Sequence, residues 1–170
     1  MSSTFTNLLL RLSEAKVDFV IVGGFAATVY GCELVTEDID ICCDFQADNL
    51  LRLQSAVAEL HPVHRMTANR RRLELTAESA TTFNNLYLDT DAGQLDCIRD
   101  VKGVGDFQQV KQHSQVIRVQ GQELRVLDVD ALITSKKAMG RPRDHETVRY
   151  LETLKYLNEK QGGGENDTHI

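Results

Sequence analysis

The segment "DIDICC", residues 38–43, is the feature that most constrains how this chain can fold. It is an apolar, strand-forming run interrupted by two aspartates, Asp38 and Asp40, with one isoleucine between them. A short run of this kind reads as a buried strand. Side chains two apart on a strand share a face, so Asp38 and Asp40 project together while Ile39 and Ile41 point to the other side. Their Cα atoms then lie roughly 6.5–7 Å apart. Charge in an apolar layer is costly unless it is paired or bound to a cation. Two neighbouring carboxylates also repel, so that one of them titrates upward. A hard divalent cation removes both problems, because it prefers carboxylate oxygens. Taken alone, the doublet fits a strand end facing water equally well. Its meaning rests on what surrounds it.

Before it, "DFVIVGG" is a continuous apolar run closed by Gly23 and Gly24, a second buried strand ending in a turn. "FAATVYG" follows as a helix stopped at Gly31. Gly24 thus precedes Asp38 by fourteen positions, enough for one helix and a return to an adjacent strand. A glycine turn opening a helix lets backbone N–H groups approach a phosphate, although a glycine pair also serves as a plain tight turn. A third acid, Asp96, lies in another apolar stretch, "GQLDCI", and is the candidate to complete a cluster of three carboxylates.

The remaining periodicities predict a helix over about 4–15, and an amphipathic helix in "ADNLLRLQSAVAEL" with Leu50, Leu53, Val57 and Leu60 on one stripe. They also predict hairpins in "NLYLDTDAGQLDCIRD" and in "QVIRVQGQELRVL", the latter turning at Gly121, with a short helix in "GVGDFQQVKQH" between them. Residues 61–83 give no clear pattern beyond a short strand and a basic loop carrying Arg65 and Arg70-Arg71-Arg72. Such a run either steers a polyanion or forms a solvated loop. Two helices close the chain, about 130–139 and 142–160, with Pro142 in the first turn of the second. The expected fold is α/β (α+β): a small mixed sheet flanked by helices, with a C-terminal helical pair. One domain is expected over 1–160, with a core of about 17–127, helices over 128–160 and a disordered tail at 161–170.

With 26% charged residues, 42% hydrophobic residues and a net charge of −6, the composition is that of a globular protein and not of a general nucleic-acid clamp. The apolar stretches are too short to span a bilayer, and "MSSTFTNLLLRLSEAK" lacks a signal-peptide pattern, so a cytoplasmic location is expected. Cys32, Cys42, Cys43 and Cys97 show no C-x-x-C spacing and are expected as reduced, buried packing groups. "HPVH" reads as a helix end more readily than as part of a zinc site. Phe25, Tyr30 and Tyr87 are expected in the core.

Taken together, "VGGFAATVYG", "TEDIDI" and "LDCI" resemble the nucleotidyltransferase superfamily typified by DNA polymerase β. The likeness is to its small bacterial branch of minimal nucleotidyltransferases and toxin–antitoxin nucleotidyltransferases. The C-terminal "VDALITSKKAMGRPRDHETVRYLETL" looks like the helical tail of those proteins, and the resemblance covers roughly residues 17–157. It implies that Gly23, Gly24 and Thr36 hold nucleotide phosphates, with Lys136, Arg141 and less directly Lys137 or Arg143 near the triphosphate or acceptor. It implies that Asp38, Asp40 and Asp96 bind Mg²⁺, two ions in all and Mn²⁺ as a substitute, with Asp96 helping to deprotonate the attacking hydroxyl. The implied reaction transfers a nucleoside monophosphate from a nucleoside triphosphate such as ATP and releases pyrophosphate. Two cations suit that displacement. The acceptor could be a small molecule, a protein side chain or an RNA end. Asp144 is expected to pair with a nearby cation or cap the last helix.

One position departs from the pattern. Leu34 stands where relatives often carry arginine, between Glu33 and Glu37. An acidic setting weakens anion binding. It motivates an alternative, a non-catalytic binding module of the same fold or a toxin–antitoxin component with a protein partner.

Overall fold

The structure is a computed structural model and describes residues 3–162. Seven strands form one mixed sheet in the order β3-β4-β5-β2-β1-β9-β8. They are β1 (Phe19–Val22), β2 (Asp38–Cys43), β3 (Val63–His64), β4 (Asn85–Thr90), β5 (Gly93–Ile98), β8 (Ser114–Val119) and β9 (Gln122–Leu127). β6 (Asp100–Val101) and β7 (Gly105–Asp106) pair separately as a small hairpin. β2 runs parallel to β5 and β1 parallel to β9, while the other neighbours are antiparallel. The helices are α1 (Ser3–Glu14), α2 (Gly23–Val29), α3 (Ala47–Val57), α4 (Ala77–Ala80), α5 (Phe107–Gln112), α6 (Val129–Met139) and α7 (His145–Gly162). No helix among the described residues is long and apolar enough to cross a membrane.

Strand alternation builds the core. Ile39, Ile41, Leu86, Leu88, Leu95 and Cys97 are all fully buried. They join one cluster with Leu8 and Leu12 of α1 and Leu50, Leu53 and Val57 of α3. Burying side chains of this size contributes about 1.5–3 kcal/mol each. On the other face, α5 packs against β1, β2 and β9 and leaves the ends of β2 and β5 that carry the aspartates uncovered. All four cysteines are free and buried, as expected. Phe25 is buried; Tyr30 is only partly so, and its hydroxyl donates to the Leu127 carbonyl at 2.7 Å.

Several boundaries differ from expectation for local reasons. α2 begins at Gly23, so the glycine pair is the first turn of the helix and not a loop before it. α6 begins at Val129 because the Asp128 carboxylate accepts the Ala131 N–H at 2.7 Å. Pro142 opens a 3₁₀ turn over Pro142–Asp144, and α7 starts only at His145. α7 also continues through residues 161 and 162 of the expected disordered tail, while 163–170 lie outside the described residues. The β6–β7 hairpin was not foreseen, because each strand is only two residues long.

Asn49 ties the α3 entry to two strand ends. Its Oδ1 accepts the Asp18 N–H at 2.8 Å, and its Nδ2 donates to the Asp18 and Asp44 carbonyls at 3.1 and 2.7 Å. Asn49 is 1% exposed, so removing the amide strands buried backbone groups. Asn49→Ala is expected to lower unfolding stability by about 2–3 kcal/mol, read as a lower urea midpoint.

Candidate active site

The sheet register assembles the site. Val22 pairs with Asp40 across β1 and β2, Asp40 with Asp96 across β2 and β5, and Asp96 with Tyr87 across β5 and β4. Paired residues on neighbouring strands share a face, so Asp40 and Asp96 stand side by side with Asp38 two residues along β2. One oxygen from each of the three carboxylates lies within 4.8 Å of the others. Asp96 is only 8% exposed.

Burial, then the neighbouring Asp38 and Asp96 charges, push the Asp40 carboxyl up to about 7, against the pull of Arg141 and Lys136. Burial also raises Asp96, opposed by a hydrogen bond from Arg65. Three acidic oxygens facing one point, with one carboxyl unable to ionise readily beside the other two, is the donor set of a hard divalent cation. The residues therefore fit such an ion.

Gly23 is required here. Its φ is +68°, a conformation that favours glycine. A Cβ at this position would overlap the Asp40 carboxylate, lying 2.9 Å from both its Cβ and its Cγ. The Gly24 backbone also lies close to Thr36, since a Cβ there would lie 2.9 Å from Thr36 Cγ2. All of these groups line a cleft of about 790 Å³.

The opposite wall comes from the α6–α7 junction. Asp144, 5% exposed, accepts from Lys136 Nζ at 3.2 Å and from Arg141 Nε and Nη2 at 2.7 and 3.3 Å. Burial alone would raise Asp144; the bonds from Arg141 and Lys136 outweigh it and hold the carboxyl below its ordinary range. Asp144 thus pairs with the cations and does not cap α7. Lys136 is itself 4% exposed, which makes it a buried counter-charge near Asp40, while Arg141 stays half-buried at the cleft wall. Lys137 turns away to Glu152, at 2.5 Å. Arg143 lines the cleft, exposed and without an ion pair among the described residues.

Lys102, which the sequence did not single out, lines the same cleft and is likewise unpaired. The β6–β7 turn carries it. Gly103 presses that turn so tightly against α6 that a Cβ there would lie 2.8 Å from Ala138 Cβ. A flexible lysine in a poorly patterned turn leaves no signal in sequence. Leu34 also lines the cleft, and its neighbour Val35 is 98% exposed. The segment expected to be a basic solvated loop is partly tied down, since Arg70 bonds Asp89 and Arg65 bonds Asp96. Tyr87 is correspondingly no core residue: it is half-buried, beneath the Arg65 guanidinium.

A mixed sheet carrying aspartates on adjacent parallel strands, closed by a C-terminal helical pair, defines a nucleotidyltransferase-like fold. Three solved structures match it along nearly their whole length. A protein of Thermotoga maritima, described as a candidate nucleotidyltransferase, superposes with a TM-score of 0.57 at 17% identity, covering 94% of this chain and 96% of that one. The antibiotic-resistance factor ANT(2″)-Ia in solution gives 0.54 at 16% identity, over 96% and 95% of the two chains. The same factor in complex with adenylyl-2″-tobramycin gives 0.56 at 16%, over 91% and 89%. No protein-family model and no curated protein sequence matches the chain.

Two outcomes follow from this geometry. The raised Asp40 carboxyl binds a proton more tightly in the folded chain than in the unfolded one. In metal-free buffer its contribution is fully present below about pH 4 and is lost as pH rises through about 7, up to roughly 4 kcal/mol at about 1.4 kcal/mol per unit. Thermal unfolding in chelator should therefore show falling stability between pH 5 and 8. Asp40→Asn should flatten that slope, and Mg²⁺ should restore stability at pH 8. Gly23→Ala should displace the Asp40 carboxylate and weaken Mn²⁺ binding at least tenfold, measured by titration calorimetry.

Proposed function

We propose that this chain is a divalent-cation-dependent nucleotidyltransferase that moves a nucleoside monophosphate from a nucleoside triphosphate to a hydroxyl of an acceptor, releasing pyrophosphate. The observation that carries this reading is the meeting of Asp38, Asp40 and Asp96 in a cleft whose other wall is cationic. Asp38, Asp40 and Asp96 would hold two Mg²⁺ ions, which supply charge neutralisation at the α-phosphate and lower the pKa of the attacking hydroxyl. Gly23 and Gly24 offer the first N–H groups of α2, which have no intrahelical acceptor, to the phosphates. Thr36 closes that side. Arg141, Arg143 and Lys102 face the cleft as partners for phosphate oxygens, Arg in the bidentate mode that suits them. Lys136 acts from behind, balancing charge beside Asp40 and holding Asp144. Asp96 would accept the proton of the attacking hydroxyl.

The acceptor is a hydroxyl compound small enough to share the cleft with a nucleotide. ANT(2″)-Ia, captured with an adenylylated aminoglycoside, supports adenylyl transfer from ATP to a small molecule as the first case to assay. A second reading, a binding module with the chemistry lost, is favoured by the apolar Leu34 and Val35 at the cleft mouth beside Glu33 and Glu37. In that form the chain would recognise a protein partner, as a toxin–antitoxin component does.

The test uses α-labelled nucleoside triphosphates with Mg²⁺ and a panel of acceptors. Wild type should transfer label and release pyrophosphate, while Asp40→Asn and Asp96→Asn should each lose at least 10³-fold in rate with their folded circular-dichroism spectra intact. Wild type that binds no nucleotide in the presence of Mg²⁺ would end the enzyme reading. Nucleotide binding without turnover, together with a stably co-purifying protein, would favour the module.

A further inference from the structure

Arg65 opens the basic segment that the sequence left without a role, and in the fold it turns inward. Its backbone N–H donates to the Tyr87 carbonyl at 2.8 Å, and Tyr87 is the β4 residue opposite Asp96. Arg65 thereby extends the row Val22–Asp40–Asp96–Tyr87 by one more position. Its guanidinium crosses the Tyr87 ring, 5.7 Å from the centroid, and Nη2 donates to Asp96 Oδ1. Among the described residues no hydrogen bond reaches Asp96 Oδ2.

A merely structural tie would use the fork differently. Asp89 Oδ1 lies 3.9 Å from Arg65 Nε, a short rotation from a second bond, yet Nε is buried with no acceptor, and Asp89 is bonded by Arg70. A guanidinium normally satisfies its donors in pairs. Here it leaves one donor unmet and holds a carboxylate that faces the cleft.

We propose that Arg65 is a positioning residue for Asp96. It grips Oδ1 from the β3 edge of the sheet and leaves Oδ2 to meet the cation. Partners of this kind fix ligand orientation, and removing them commonly costs 10–100-fold in metal affinity. The inference rests on Asp38, Asp40 and Asp96 being a cation site, and so on the function proposed above. It also extends that function, because it makes the 65–72 segment part of the machinery.

The experiment is a double-mutant cycle read in Mn²⁺ affinity by calorimetry on the full chain, which needs no knowledge of the acceptor. Arg65→Ala should weaken Mn²⁺ at least tenfold, and Arg65→Lys should recover part of the loss. In an Asp96→Asn background Arg65→Ala should cost nothing more, because its effect passes through Asp96. Should Arg65→Ala fail to fold, Arg65→Gln carries the same comparison. Unchanged or tighter Mn²⁺ binding in the Arg65 variants overturns the assignment, as does an equal loss on both backgrounds. Wild type with no measurable Mn²⁺ binding overturns the cation site and the assignment together, which separates the two failures.

Discussion

The structure depends on the repulsion among Asp38, Asp40 and Asp96. Three carboxylates whose oxygens meet within 4.8 Å cannot all be charged in a half-buried site without compensation. Much of the surrounding architecture supplies it. Arg65 approaches Asp96 from the β4 edge. Lys136 and Arg141 approach Asp40 from the α6–α7 junction, held there by Asp144. Asp40, pushed up to about 7, still carries part of the strain as a readily protonated group. The arrangement is incomplete as a set of ion pairs, and its donor set fits a divalent cation.

The cleft is asymmetric in a way that suits a polyphosphate. Its floor is acidic, from β2 and β5, and the cations stand on the opposite wall and at the β6–β7 turn. In the function we propose, Asp38, Asp40 and Asp96 would hold the cations, and Arg141, Arg143 and Lys102 would meet the phosphates. The elements on that wall are fixed by close packing: Gly103 against α6, and Asp144 buried beneath Lys136 and Arg141.

Sequence periodicity made β1, β2, β5 and the β8–β9 hairpin legible, because their apolar residues alternate or run together over 4–6 positions. It also exposed Asp38, Asp40 and Asp96, since an acid inside an apolar strand stands out. The segment over 61–83 stayed unreadable because its order comes from elsewhere: a two-residue strand, one bridge between Val63 and Arg72, and arginines bonded to acids on β4 and β5. Lys102 was invisible for a similar reason, being placed by a turn whose position is set by contact with α6.

The sequence by itself determined local geometry around the candidate site. The two-residue spacing puts Asp38 and Asp40 on one face, and Gly23 supplies a backbone shape that other residues strain to adopt. These are local properties, fixed by backbone geometry. Only the tertiary structure decided that Asp96 stands beside Asp40, that Arg65 holds it and that Lys136 is buried behind the site. Those facts follow from strand order and register, which pair residues far apart in the chain. No local pattern encodes them, because each is a contact between separate elements that exists only once the sheet has closed.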